Sequence, residues 1–193
     1  MPLTTLDATT ALIVIDLQKV ILGLPTVHPV GEVVNHAAKL SDAFRRHRLP
    51  VVLVNADGGA PGRTEQAFRM HEFPAGWTDL LPELNQQPED HIVTKQTWGA
   101  FTNTDLDEYL KKQRVTQVVI VGISTSAGVE STARHAFELG FNVTLAVDAM
   151  TDRNADAHTN SITRIFPRLG ETGTAQQIID LLDDTAAKAN DRR

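Results

Sequence analysis

Short β-branched runs that are apolar at nearly every position recur along the chain, and helix-like stretches separate them. Residues 11–15 (ALIVI), 51–54 (VVLV), 92–94, 118–122 (VVIVG) and 143–147 (VTLAV) show little alternation of apolar with polar side chains. A strand with water on one face alternates. A strand that is apolar throughout is covered on both faces, which is the condition of strands in a parallel sheet. A weaker sixth run lies at 165–169. Between them, residues 33–47 place Val33, Val34, Ala37, Leu40 and Phe44 on one helical stripe. Helical patterns also cover 105–112, 129–139 (followed by Gly140 at the position that ends a helix), 155–164 and 175–183. The alternation predicts an α/β fold: three αβα layers around a doubly wound, mainly parallel sheet of about six strands. One domain over 1–183 is expected, with 184–193 as a polar, flexible tail.

Composition narrows the chemistry. None of the 193 residues is cysteine, which excludes disulfides, thiolate metal sites, CxxC redox motifs and a thiol nucleophile. Eighteen Lys and Arg against 24 Asp and Glu give a net charge of −6, a surface ill-suited to nucleic acid or an anionic membrane. The first ten residues, MPLTTLDATT, lack a basic segment followed by an apolar one, and no apolar run is long enough to span a bilayer. The expected location is the cytoplasm and the expected partner a small molecule. The seven histidines show no HxH, HxxxH or HExxH spacing, and there is neither a Walker A sequence nor GxGxxG. No metal or cofactor is therefore expected. The stretch 55–88 is rich in Gly and Pro and too long for an ordinary connection, so it reads as a functional loop.

In open α/β sheets ligands bind beyond the carboxyl ends of the strands. The first run leads into Asp16, Leu17 and Gln18. The third leads into Lys95, and the fourth into Gly122-Ile-Ser-Thr-Ser-Ala-Gly128, where a helix begins. Taken singly, the aspartate reads as a turn residue, the lysine as solvated and the glycines as turn makers. A carboxylate, an ammonium and a helix start at equivalent strand ends favour a site.

The segments ALIVIDLQ (11–18), HIVTKQTWGAF (91–101) and VVIVGISTSAGVESTARHAFELGFNVTLAVDAMTD (118–152) resemble the isochorismatase-like hydrolase superfamily, which is Rossmann-like and includes nicotinamidases and carbamoyl-amide hydrolases. The resemblance implies a catalytic Asp–Lys–Cys triad, with Asp16 and Lys95 matching its first two members. Gly128 stands where the nucleophilic cysteine would be. It further implies a cis peptide at Ile123–Ser124, an oxyanion hole from the backbone N–H groups of Ser124 and Gly128, and a homodimer or larger homo-oligomer. A nicotinamidase-type metal cluster after the second strand is not matched: Asp57 is present, but His71 stands alone downstream.

Without sulfur the covalent amidase route is closed, because the thiolate is the attacking group. Isochorismatases proper resemble this chain in having glycine at that position, and they hydrolyse a vinyl ether. The resemblance thus implies acid catalysis by Asp16, with Lys95 orienting the substrate and Gly128 leaving room for it. The alternative is a ligand-binding or assembly protein that kept the fold after losing the nucleophile. Further candidates for substrate contact are Gln18, Arg63, Trp98, Phe101 and Thr125, with Gln66 and Arg69 on the same loop as Arg63. Trp98 and Phe101 read equally as pocket wall or as core and interface aromatics.

Overall fold

A computed structural model describes residues 3–65 and 74–190. Gln66, Arg69 and His71 lie outside the described residues. Six parallel strands form one sheet: β1 (Thr10–Ile15), β2 (Val51–Ala56), β3 (His91–Lys95), β4 (Gln117–Ile123), β5 (Asn142–Thr151) and β6 (Glu171–Gly173), in the order β3-β2-β1-β4-β5-β6. The chain winds outward from β1 in one direction and then returns from β4 in the other. The switch point falls between β1 and β4, where Ile15 pairs with Gly122.

Five helices cover the two faces: α1 (Val30–Arg46), α2 (Leu106–Lys112), α3 (Glu130–Glu138), α4 (Ala155–Asn160) and α5 (Ala175–Asn190). Successive strand side chains point to opposite faces, so β1 feeds two separate cores. Leu12 and Val14 pack with Val33, Ala37 and Phe44 of α1 and Ile178 of α5. Ala11, Ile13 and Ile15 pack with Leu106 and Leu110 of α2 and Ala133 and Ala136 of α3. This double burial is the reason the strand runs lack alternation.

Glycine is required at two of these places. Gly122 has φ +115°, and a Cβ there would collide with the Ile15 carbonyl oxygen, so glycine lets β4 close on β1 at the switch point. Gly140 ends α3 at φ +90°, with its N–H on Phe137 O and that of Phe141 on Ala136 O, as its sequence position predicts.

Three expectations are corrected. The sixth strand is Glu171–Gly173; residues 165–169 instead form tight helical turns. The strand is short and half-exposed, so it lacks the apolar run that marks the others. β5 continues past 147 to Thr151, because its pairing with β4 shifts between Ile120 and Gly122 to take up extra residues. Finally, α5 runs on through most of the stretch expected as a tail, ending at Asn190. Its sequence there, TAAKAN, is dominated by strong helix formers.

Candidate active site

The carboxyl ends of β1, β3 and β4 meet around Asp16. The residue follows β1 directly at φ 52°, a left-handed conformation that aspartate tolerates better than most residues. Its N–H donates to Val54 O, 2.9 Å away. Lys95 ends β3, two strands away, yet its side chain reaches the same point. Lys95 Nζ donates to Asp16 Oδ2 at 2.7 Å and to Thr97 O at 3.0 Å. The lysine side chain is 3% exposed and the aspartate side chain 16%.

Asp16 Oδ1 is buried and has no hydrogen-bond partner among the described residues. A buried carboxylate oxygen without a donor disfavours the charged form. Burial accordingly pushes the Asp16 carboxyl up from 3.8 to about 6, against the pull of the Lys95 ammonium. The result is a carboxyl that can hold a proton near neutrality, with one oxygen fixed by Lys95 and the other uncommitted.

Gly128 faces this pair. It lies in a single wide helical turn, Thr125–Val129, that leads into α3. A Cβ added to it would stand 3.3 Å from Asp16 Oδ2 and 2.9 Å from Ile15 Cγ2. The position matched to a catalytic cysteine is thus packed against the carboxyl, with no room for a side chain unless Ile15 yields. The Ile123–Ser124 peptide that opens the turn is cis, as the resemblance implies.

Other residues expected to touch substrate have different work. Gln18 is 2% exposed, accepts from Ala56 N–H at 2.9 Å and donates to Trp77 O at 2.6 Å. With the Lys19 N–H on Asp79 O and the Leu81 N–H on Leu17 O, it pins the returning half of the long loop to the end of β1. Thr125 is fully buried, its Oγ1 2.9 Å from His158 Nδ1. That contact has the form of a nucleophile beside a base, and here it ties the turn to α4. Phe101 is a core residue, packed near Phe141 and His135. Trp98 is 67% exposed. Arg63 is exposed and makes no ion pair or hydrogen bond among the described residues.

Asp152, just beyond β5, was not singled out by the sequence. Its Oδ2 accepts from Ser126 N–H (2.7 Å) and Ser126 Oγ–H (2.8 Å), and its Oδ1 accepts from the N–H groups of Arg153 and Asn154. It anchors the turn that carries Gly128, and it occupies Ser126 as a donor. The signal was present, because the strand-end rule that marks Asp16 marks Asp152 once β5 is known to reach Thr151.

No group of three or more His, Cys, Asp or Glu among the described residues is arranged to hold a metal ion. No helix among them is long and apolar enough to cross a membrane. Three cavities of about 380, 330 and 220 Å³ open elsewhere on the molecule, and Asp16, Lys95 and Gly128 line none of them.

Strand order, switch point and a buried acid–ammonium pair define a doubly wound α/β protein equipped for acid–base chemistry. The chain belongs to the isochorismatase-like hydrolase superfamily: the Isochorismatase domain family matches residues 10–177. It is 40% identical over 178 residues to YwoC of Bacillus subtilis (strain 168), an uncharacterized isochorismatase family protein, covering 89% of this chain and 93% of that one. Nicotinamidase 3 of Arabidopsis thaliana is 30% identical over 155 residues, 77% of this chain and 76% of that one. Among solved structures, an isochorismatase family protein from Burkholderia thailandensis superposes with a TM-score of 0.89 at 41% identity, covering 93% of this chain and 98% of that one.

Proposed function

We propose that this hydrolase works without a covalent nucleophile and that Asp16 is its general acid, acting on the vinyl ether of a small isochorismate-like substrate. The observation that carries the reading is the Asp16 carboxyl itself: pushed up to about 6 by burial, with Oδ1 unpartnered among the described residues, opposite a glycine where thiol enzymes of the family need sulfur.

In the proposed step the Asp16 proton goes to the terminal vinyl carbon, and the C=C electron pair forms the new C–H bond. The ether carbon becomes an oxocarbenium ion, which the Asp16 carboxylate stabilises as it forms. Water adds to that carbon and returns a proton to Asp16. The hemiketal then collapses to a ketone and an alcohol. Lys95 holds the carboxyl in place through Oδ2 and leaves Oδ1 as the proton-bearing atom. The backbone N–H groups of Ser124 and Gly128 take a substrate oxygen.

The test is incubation with isochorismate, with pyruvate as the readout, for the wild-type chain and Asp16→Asn. Release by the wild type and its loss in the variant are expected. No pyruvate, or equal rates in the two proteins, overturns the reading. The relatives named for amide hydrolysis make a panel of small amides the natural control. Saturable binding without turnover on either panel would support the non-catalytic alternative.

A further inference from the structure

A second set of titratable side chains sits beside the same turn and takes no part in the step above. His158 of α4 is 6% exposed, and its Nδ1 meets Thr125 Oγ1. Its Nε2 lies 3.3 Å from Nε2 of His28, with the two rings edge to face at 67°. His28 belongs to the connection from β1 to α1. That connection is stitched to the end of β5, where the Val27 N–H donates to Asp152 O at 2.8 Å and the His28 N–H to Thr151 Oγ1 at 2.9 Å. The turn after β4 is stitched to the same place through Ser126 and Asp152. His158 therefore bridges two segments at the carboxyl edge: the one leading away from Asp16 and the one carrying Gly128.

A contact between two imidazole nitrogens needs one N–H and one lone pair. It survives when both rings are neutral and when the pair holds one added proton. With two added protons, both nitrogens carry hydrogen and both rings are cationic, so the contact repels. Burial lowers the His158 pKa, His28 lowers it further, and Asp152 pulls the other way. Other charged or titratable groups on the elements packed here include Asp156 on α4, Arg153 after β5, Asp148 of β5 in contact with His36 of α1, Glu32 in the first turn of α1, and Glu130 at the start of α3, which Ser161 and Arg134 hold.

We propose that His158 is a positioning residue for the site and that its contact with His28 is a proton-operated latch, closed at neutral pH and open once both imidazoles are charged. The sign follows from the lowered His158: its contribution to the closed state is complete above 6.5 and is lost as pH falls below that value. Only the consequence for turnover rests on the function proposed above. Opening loosens the turn that places Gly128 opposite Asp16, so kcat falls on the acid side.

The experiment is amide hydrogen exchange on the full chain, expressed as protection factors, between about pH 7.5 and about pH 5. Val27, His28 and Ser126 are the reporters and Val14 in β1 is the reference. Protection at the three reporters should fall by roughly ten-fold for each unit by which the second protonation is disfavoured, while Val14 holds. His28→Gln should weaken the pH dependence, because the burial of His158 remains, and His158→Gln should remove it. If His158→Gln fails to fold, His28→Gln at an exposed position carries the test alone. In an active preparation the acid limb of kcat should shrink in His28→Gln and disappear in His158→Gln. Reporter protection that does not change with pH in the wild type, or that changes equally in His28→Gln, overturns the latch. Failure to release pyruvate overturns the proposed reaction and leaves the exchange result to decide the latch.

Discussion

Asp16 and Asp152 both stand just past the carboxyl end of a strand, and both are largely buried, yet their surroundings assign them opposite tasks. Asp152 accepts four hydrogen bonds, two on each oxygen, and all four donors belong to the chain that it shapes. Asp16 has one oxygen fixed by Lys95 and the other buried with no partner among the described residues. A carboxylate whose lone pairs are filled by the backbone is a structural anchor. One that is left half-satisfied has its charge destabilised and its proton available. Burial alone does not distinguish the two residues; the supply of donors does.

Four measurements would break or sharpen that contrast. The largest effect is expected from Asp16→Asn, which should lower kcat by about 10² to 10⁴ while the fold stays intact, because only the acid is removed. Asp152→Ala should do the reverse and act on stability. Leaving the donors around Ser126 and Asn154 without an acceptor should cost about 3 kcal/mol in urea unfolding. If Asp152→Ala unfolds no more easily than Asp16→Asn, the contrast fails.

Gly128→Ala comes next. Its Cβ would press on Ile15 Cγ2 and crowd Asp16 Oδ2, so a loss of about 1–2 kcal/mol is expected, together with reduced turnover. An unchanged Tm and unchanged rate would mean that the glycine is incidental.

The smallest effect is the pH dependence of stability that Asp16 confers. Its folded value, about 6, lies above its ordinary 3.8, so folding takes up a proton between those values. Stability from this group is full below 3.8 and is lost as pH rises through 6. Compared with Asp16→Asn, the wild type should lose stability across that window and run parallel to the variant above it. Under the proposed reaction, kcat/KM should fall tenfold per unit above about 6 as the acid form is depleted.

The two aspartates also show where reading the sequence ran out. Asp16 was legible because ALIVI is a clean strand whose end is unambiguous. Asp152 was hidden by the irregular pairing of β5, which carries the strand beyond VTLAV through Asp148 to Thr151. Lys95 was legible as a strand end. Its reach across β2 to Asp16 was implied by the family resemblance, since a lysine at the end of an edge strand is ordinarily solvated. Gln18, Thr125 and Phe101 lie within the matched motifs as candidates for substrate contact, with Phe101 reading equally as a core aromatic. The fold turned each of them inward, to tie down the long loop, to meet His158 and to fill the core.

What the sequence determined by itself is the layered fold and the missing nucleophile. Apolar runs without alternation require cover on both faces, and a chain without cysteine has no thiolate to offer. What only the tertiary structure decided is which polar side chains are satisfied. Hydrogen-bond partners come from segments far apart in the chain: Lys95 with Asp16, Ser126 with Asp152, Thr125 with His158. A carboxyl group's readiness to hold a proton depends on that count of donors and on burial, and the order of residues along the chain specifies neither directly.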